Sequence, residues 1–280
     1  MERVGYHTRA GECKLLKRIM ANQARERRDL VHFGRFLYER GYVAATDGNL
    51  SVRLKGGRIL ATPTAMSKGC LRPSDMVIAD LDGRIVAGRH PISSEIAMHL
   101  LIYRLRPDIG GIVHAHPPTA TGFAAAGLAL DQPLACEVVI GLGSIPLAKY
   151  GTPGTPELSE TLRPLIPQYD AILMSNHGVV TYADTLEHAY MKMETVEHFA
   201  QITLVTHTLG RQEPLEEKAL EKLVLARSRY KGFRSPAPLP LANLFGSKNG
   251  NHSARSDKGK GPPPGSVKGS ARERPGAAKA

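Results

Sequence analysis

The chain has 280 residues, a formal net charge of +11, 42% hydrophobic and 5% aromatic residues, and no tryptophan. That length buries a real core in one large domain or two small ones. The scarcity of aromatics speaks against a single-strand nucleic-acid binder that stacks bases, and no apolar run approaches the ~18–20 residues of a membrane span.

The charge is uneven. Residues 1–28 hold eight Lys+Arg against three Asp+Glu, residues 235–280 hold eight against two, and the 21 of each sign in between cancel. A neutral body argues against nucleic-acid binding through the folded part, and the basic character belongs to the two ends. KLLKRIM near the N-terminus is too short and too charged for a secretory signal. Cys13, Cys70 and Cys136 share no CxxC spacing, which argues against a disulfide framework and for a reducing, cytoplasmic location.

In chain order, residues 1–28 read as a basic N-terminal extension, with a short helix over Glu12–Arg28 as one possibility. The spacing of Leu30, Phe33 and Leu37 predicts a helix over Asp29–Arg40, capped by Asp29 and ended by Gly41. Leu50, Val52 and Leu54 alternate as in a half-buried strand, and GGRILATPT supplies a hairpin partner across Gly56-Gly57. Met76–Ala79 and Arg84–Val86 form a second hairpin across Asp82-Gly83. Ser93 and Ser94 precede a helix over Glu95–Arg104, with the serines as its start signal. Ile112–Pro118, IVHAHPP, reads as a strand running into a loop, followed by a short helix over Thr119–Ala126. Val138–Ile140 and Ile145–Leu147 read as strands, Pro156–Leu165 as a helix, and Ala171–Met174 as a strand leading into SNHG. Asp184 caps a long helix reaching about Thr208. Residues 29–233 thus form the folded body. Residues 234–280, basic and rich in Pro, Gly and Ser, cannot bury enough surface to offset their ordering entropy and read as disordered.

The chemistry-bearing residues gather at strand ends. His114 and His116 are two apart, so in a strand they point to one side, about 6–7 Å apart. A metal pair and a plain polar sheet face are equally good readings of those two residues alone. His177, at the end of another apolar strand, is a third candidate, and three histidines with an open position suit a catalytic zinc. Glu95 at a helix start suits a carboxylate near a metal or a general base beside an anion. The hydroxyls and backbone N–H groups of Ser93 and Ser94 offer an anion site at the same place. His188, His198, Glu194 and Glu197 on the long helix read as surface residues, Met191 and Met193 as packing, and Lys68 as a solvated lysine, with phosphate contact as the sharper alternative.

The segments DGNLSVR, ATPTAMSKG, PISSEIAMHL, IVHAHPP and SNHG resemble, in order and approximate spacing, the class II aldolase/adducin family, over roughly residues 29–210. The resemblance implies a three-layer α/β/α fold with a mainly antiparallel sheet, and a homotetramer with sites between subunits. It implies one Zn²⁺ per subunit on His114, His116 and His177, with Glu95 on or near the metal as base. It places Gly48, Asn49, Thr64, Ser93 and Ser94 around a substrate phosphate. The implied function is aldol cleavage of a short ketose phosphate, of the L-fuculose-1-phosphate kind, to dihydroxyacetone phosphate and an aldehyde through a metal-stabilised enediolate. The same site serves a dehydratase or 4-epimerase of a pentulose phosphate as the nearest alternative, and a non-enzymatic adducin-like scaffold as the more distant one.

Two positions depart from the pattern. Ala65 stands where the family's aldolases carry a glycine in the phosphate loop, and no tyrosine proton donor stands between Leu134 and Ile145. Glu137 lies there instead, as a second acid/base candidate or as a surface carboxylate.

Overall fold

The computed structural model describes residues 23–227. The expected disordered tail, the first part of the basic extension and most of the Glu12–Arg28 helix lie outside the described residues.

Helix α1 spans Ala24–Glu39 and starts five residues before the expected Asp29, which falls inside it. The turn of apolar residues that defines its inner face begins with Leu30, but the helix extends back through Arg27, whose guanidinium donates to the Pro73 and Met76 carbonyls. Strands β1 (Asn49–Leu54), β2 (Arg58–Ala61), β3 (Val77–Asp80) and β4 (Ile85–Ala87) follow as two hairpins. Helix α2 covers Ile96–Leu105 and strand β5 covers Gly111–Ala115. Next come helix α3 (Pro118–Ala125), helix α4 (Cys136–Gly141), strand β6 (Leu147–Ala148) and helix α5 (Pro156–Leu162). Strands β7 (Ala171–Met174) and β8 (Gly178–Ala183) lead to the long helix α6 (Leu186–Thr208) and helix α7 (Glu217–Arg227).

The eight strands make one sheet in the order β4-β3-β2-β1-β5-β8-β7-β6, antiparallel at every pair except β6 with β7. Alternation along the strands sends residues to two cores. Leu50, Val52, Val113 and Val179 pack with α1, α3, α4 and α6, while Ile59, Ile112, Ile172 and Val180 pack with α2 and α5. This is the expected three-layer α/β/α architecture. Among the described residues, no helix is long and apolar enough to cross a membrane.

Several expected elements take a different form. Val138–Ile140, expected as a strand, belongs to α4. A short apolar run does not distinguish a buried strand from a buried helix. All three side chains are buried, with Val138 in the main core and Val139 against Leu220 of α7. Thr185, and not Asp184, caps α6: its hydroxyl accepts from the His188 N–H, while Asp184 meets the His188 ring. Strand β8 directly after SNHG and helix α7 were not expected from the sequence.

One buried ionic cluster ties α6 to the sheet. Lys192 Nζ lies 2.7 Å from Asp170 Oδ2, and Arg106 lies 3.0 Å from Asp170 Oδ1, with Lys192 and Asp170 closed to solvent. Removing one partner from a buried pair strands the other charge. Lys192→Met is expected to lower the unfolding free energy by about 3–5 kcal/mol, measured by urea denaturation; a loss well below that range would show that the Arg106–Asp170 pair suffices alone.

Candidate active site and histidine cluster

The pairing of β1 with β5 sets the site. Asn49 stands opposite His114, which on its other side pairs with Val180 of β8. His114 therefore points to the face covered by α2, whose N-terminal boundary residue is Glu95. His116 follows just past the end of β5, held by its N–H to the Tyr42 carbonyl at 2.8 Å. His177 sits in the tight turn between β7 and β8, where its N–H bonds the Met174 carbonyl at 3.1 Å.

Two glycines make room for these residues, Gly48 for the His114 backbone and Gly178 for the His116 ring. Gly48 has φ +69°, and a Cβ there would lie 2.8 Å from the His114 carbonyl oxygen. At Gly178 a Cβ would lie 2.4 Å from His116 Cδ2.

The three imidazoles converge, with their possible ligand nitrogens within 4.8 Å of one another. His114 Nδ1 donates to the Val179 carbonyl at 2.9 Å, which leaves Nε2 directed at the cluster, 3.2 Å from His116 Nε2. Asp47 Oδ2 lies 3.6 Å from His116 Nδ1. A carbonyl or carboxylate behind a ligating ring is the usual support of a metal-bound histidine, and His114 and His116 each have one, while His177 Nδ1 has no partner among the described residues. The donor set therefore fits a divalent ion of the zinc type.

Glu95 completes the cluster. Its Oε2 lies 3.1 Å from His114 Nε2 and its Oε1 lies 3.1 Å from His177 Nε2. Asn49 Nδ2 donates to Oε2 at 2.9 Å, so this amide orients the carboxylate as well as lining the cleft. Burial would raise the Glu95 pKa, but the charge and hydrogen bond of His114, reinforced by His177, hold it well below the usual carboxylate range. His114 shifts the other way: burial opposes its charge, and Glu95 with the Val179 carbonyl overcomes that. His116 is pulled down to about 4 by burial and by the neighbouring imidazoles.

The cluster opens on a cleft of about 310 Å³ whose walls include Gly48, Asn49, Thr64, Ser93, Ser94, Glu95, His116 and His177. The structure thus gathers every sequence-derived candidate except Glu137, with His114 buried just behind. Glu137, on α4, lines a separate cleft with Arg40, Tyr42, Glu194 and His198. Ser93 accepts from the Glu95 N–H at 3.3 Å, while α2 has no side-chain cap of the expected serine type. Ala65 takes φ +55°, the left-handed conformation that favours glycine, so the loop keeps its shape with a methyl in place.

Four further residues support the cluster. Lys68, expected to be solvated, is 1% exposed and lines the cleft. Asp47 stands behind His116. His99 bonds Ser51 at 2.6 Å, joining α2 to β1, and burial, with the charge of His114 after it, takes its pKa down to about 3. Glu197 of α6, expected at the surface, is buried and accepts from the Thr119 and Ala120 N–H groups at 3.0 and 2.9 Å, fastening α3 immediately after the His116 loop. Glu194, expected to pair with His198, instead meets Arg40 and Tyr190.

A cleft lined by His116, His177 and Glu95, with His114 behind them, in an α/β/α protein is a candidate active site for a small molecule. The sequence model described as Class II Aldolase and Adducin N-terminal domain matches residues 28–204, and the chain belongs to that family as a carbon–carbon lyase. It is 31% identical over 211 residues to a 5-deoxy-D-ribulose 1-phosphate aldolase of Bacillus thuringiensis serovar kurstaki, covering 75% of this chain and 97% of the relative. It is 34% identical over 190 residues to a 3-oxo-tetronate 4-phosphate decarboxylase of Pectobacterium atrosepticum, covering 66% and 87%. A solved L-fuculose 1-phosphate aldolase superposes with a TM-score of 0.68 at 29% identity, covering 73% of this chain and 96% of that one. Enzymes of this class are generally metal-dependent, and the three histidines form a group that could hold the ion.

The support behind His116 is testable. Asp47→Asn is expected to weaken binding of an added divalent ion about 10–100-fold, measured by competition with a chromogenic chelator; unchanged affinity would remove Asp47 from the support of such an ion.

Proposed function

We propose that the chain is a zinc-dependent aldolase that splits a short ketose phosphate, of the L-fuculose-1-phosphate kind, into dihydroxyacetone phosphate and an aldehyde. The observation that carries this reading is the position of Glu95, 3.1 Å from the Nε2 atoms of both His114 and His177, in the wall of a cleft shared with Thr64, Ser93 and Ser94.

In this reading His114, His116 and His177 hold the ion, with Glu95 beside it. Bound there, Zn²⁺ supplies a Lewis acid that lets the substrate carbonyl take up negative charge. Gly48, in the wall of the cleft, and the hydroxyls of Thr64, Ser93 and Ser94 receive the phosphate. Asn49 fixes the direction of the Glu95 carboxylate. When the bond between C3 and C4 breaks, the C4 hydroxyl gives up its proton as that carbon leaves as the aldehyde, and C3 of the dihydroxyacetone phosphate fragment takes up one proton in exchange; Glu95 relays the proton to C3, and in the synthetic direction removes it. Glu137 has no place in this scheme within one chain. Glu137→Gln is therefore expected to leave exchange at C3 unchanged.

A second reading is favoured by the likeness to the decarboxylase. The same cleft and the same Glu95 would serve if carbon dioxide, and not an aldehyde, left from the fragment.

Incubation of the zinc-loaded protein with dihydroxyacetone phosphate in D₂O, without aldehyde, tests the first reading. Stereospecific loss of one C3 proton signal, stopped by a chelator, is the expected outcome. Glu95→Gln should retain the metal and slow the exchange by about 10²–10⁴-fold. Full exchange in that variant would exclude Glu95 as the base, and no exchange with the metal in place would overturn the aldolase reading.

A further inference from the structure

Lys68 is an unusual residue for the place it occupies. It is 1% exposed, yet its Nζ has no carboxylate within ion-pair distance among the described residues. Its hydrogen-bond acceptors are two neutral carbonyls, Thr46 O and Met66 O, each at 2.7 Å. Burying an ammonium is costly unless a counter-charge compensates it. Burial accordingly pulls its pKa down to about 8, against the more distant attraction of Asp47 and Glu95.

The two carbonyls belong to the two loops that form the cleft floor. Thr46 leads into the Asp47-Gly48 turn, and Met66 follows Thr64-Ala65. An ammonium has three N–H groups. Two are taken by these carbonyls, so one donor and a full positive charge remain available on a side chain that lines the cleft. Among the described residues lining it, Lys68 is the one Lys or Arg.

We infer that Lys68 is a specificity-determining residue: it clasps the two loops and presents its remaining N–H and its charge to the anionic end of the substrate. A phosphate monoester dianion completes the missing counter-charge, whereas the hydroxyl of an unphosphorylated sugar does not. The choice of a phosphorylated substrate rests on the aldolase reading above, but anion binding can be read without turnover.

The test uses the full chain and inorganic phosphate as probe, followed by isothermal titration, beside the D₂O exchange assay. Lys68→Met and Lys68→Gln are each expected to weaken phosphate about tenfold to a hundredfold, the scale of a hydrogen bond to a charged group. In the exchange assay the same variants should raise KM for dihydroxyacetone phosphate by a similar factor with kcat little changed, and Lys68→Arg should recover much of the phosphate affinity. If Lys68→Met does not fold, Lys68→Gln, which keeps an N–H donor for the loop carbonyls, carries the reading. Folded variants that bind phosphate as tightly as the unaltered chain would overturn the inference, as would an unaltered chain that ignores phosphate. Phosphate affinity that depends on Lys68, with no exchange in any protein, would uphold the inference and defeat the aldolase reading instead.

Discussion

The hydrogen-bonded register between β1 and β5 is the constraint on which the rest of the site depends. Because Asn49 stands opposite His114, the amide that orients Glu95 and the imidazole that pairs with it arrive from adjacent strands on one sheet face. Side chains alternate along a strand, so a slip of one residue would carry His114 to the opposite core and replace it with Val113. The register is itself pinned by the two cores, which accept Leu50 and Val113 on one side and Ile112 on the other. The geometry of the candidate site and hydrophobic packing are in this respect the same specification.

Around that fixed pair, the remaining groups come from turns whose form is set by backbone demands. Gly48 reverses the chain against the His114 carbonyl, Gly178 lets β8 pass the His116 ring, and the His177 turn closes in three residues between β7 and β8. Helix α6 contributes from the far side of the sheet. Glu197 is not part of the cleft, yet it ties down the start of α3 and so the loop that carries His116. Lys192, five residues earlier on the same helix, fixes α6 to the sheet through Asp170. A helix expected to be decorated with surface charges is thus anchored by two buried ones.

What the sequence made legible follows from how far apart the interacting residues are. Gly48, Asn49, Thr64, the Ser93-Ser94-Glu95 start, the His114–His116 pair and His177 lie in short segments whose local pattern signals strand ends and turns. Alternating apolar residues and the Gly56-Gly57 and Asp82-Gly83 turns likewise predict the two hairpins, and an apolar run closed by two prolines predicts β5. The burial of Lys68 and the roles of Asp47 and Glu197 were not legible, because each depends on a contact that periodicity does not encode. Lys68 reaches a carbonyl 22 positions away, and Glu197 caps a helix 77 and 78 positions away. The α4 error has another physical origin. Val138, Val139 and Ile140 are buried on every side, and a run without a polar face has no period to read.

Gly178 has a consequence beyond the fold. It adds no side-chain atom to the cleft and takes part in no proton or charge transfer. A methyl group there would nevertheless meet both the Ala115 carbonyl oxygen and the ring of His116. The set of positions through which an inherited substitution could silence this enzyme is therefore larger than the set of groups that touch its substrate, and it includes one whose only contribution is an absence.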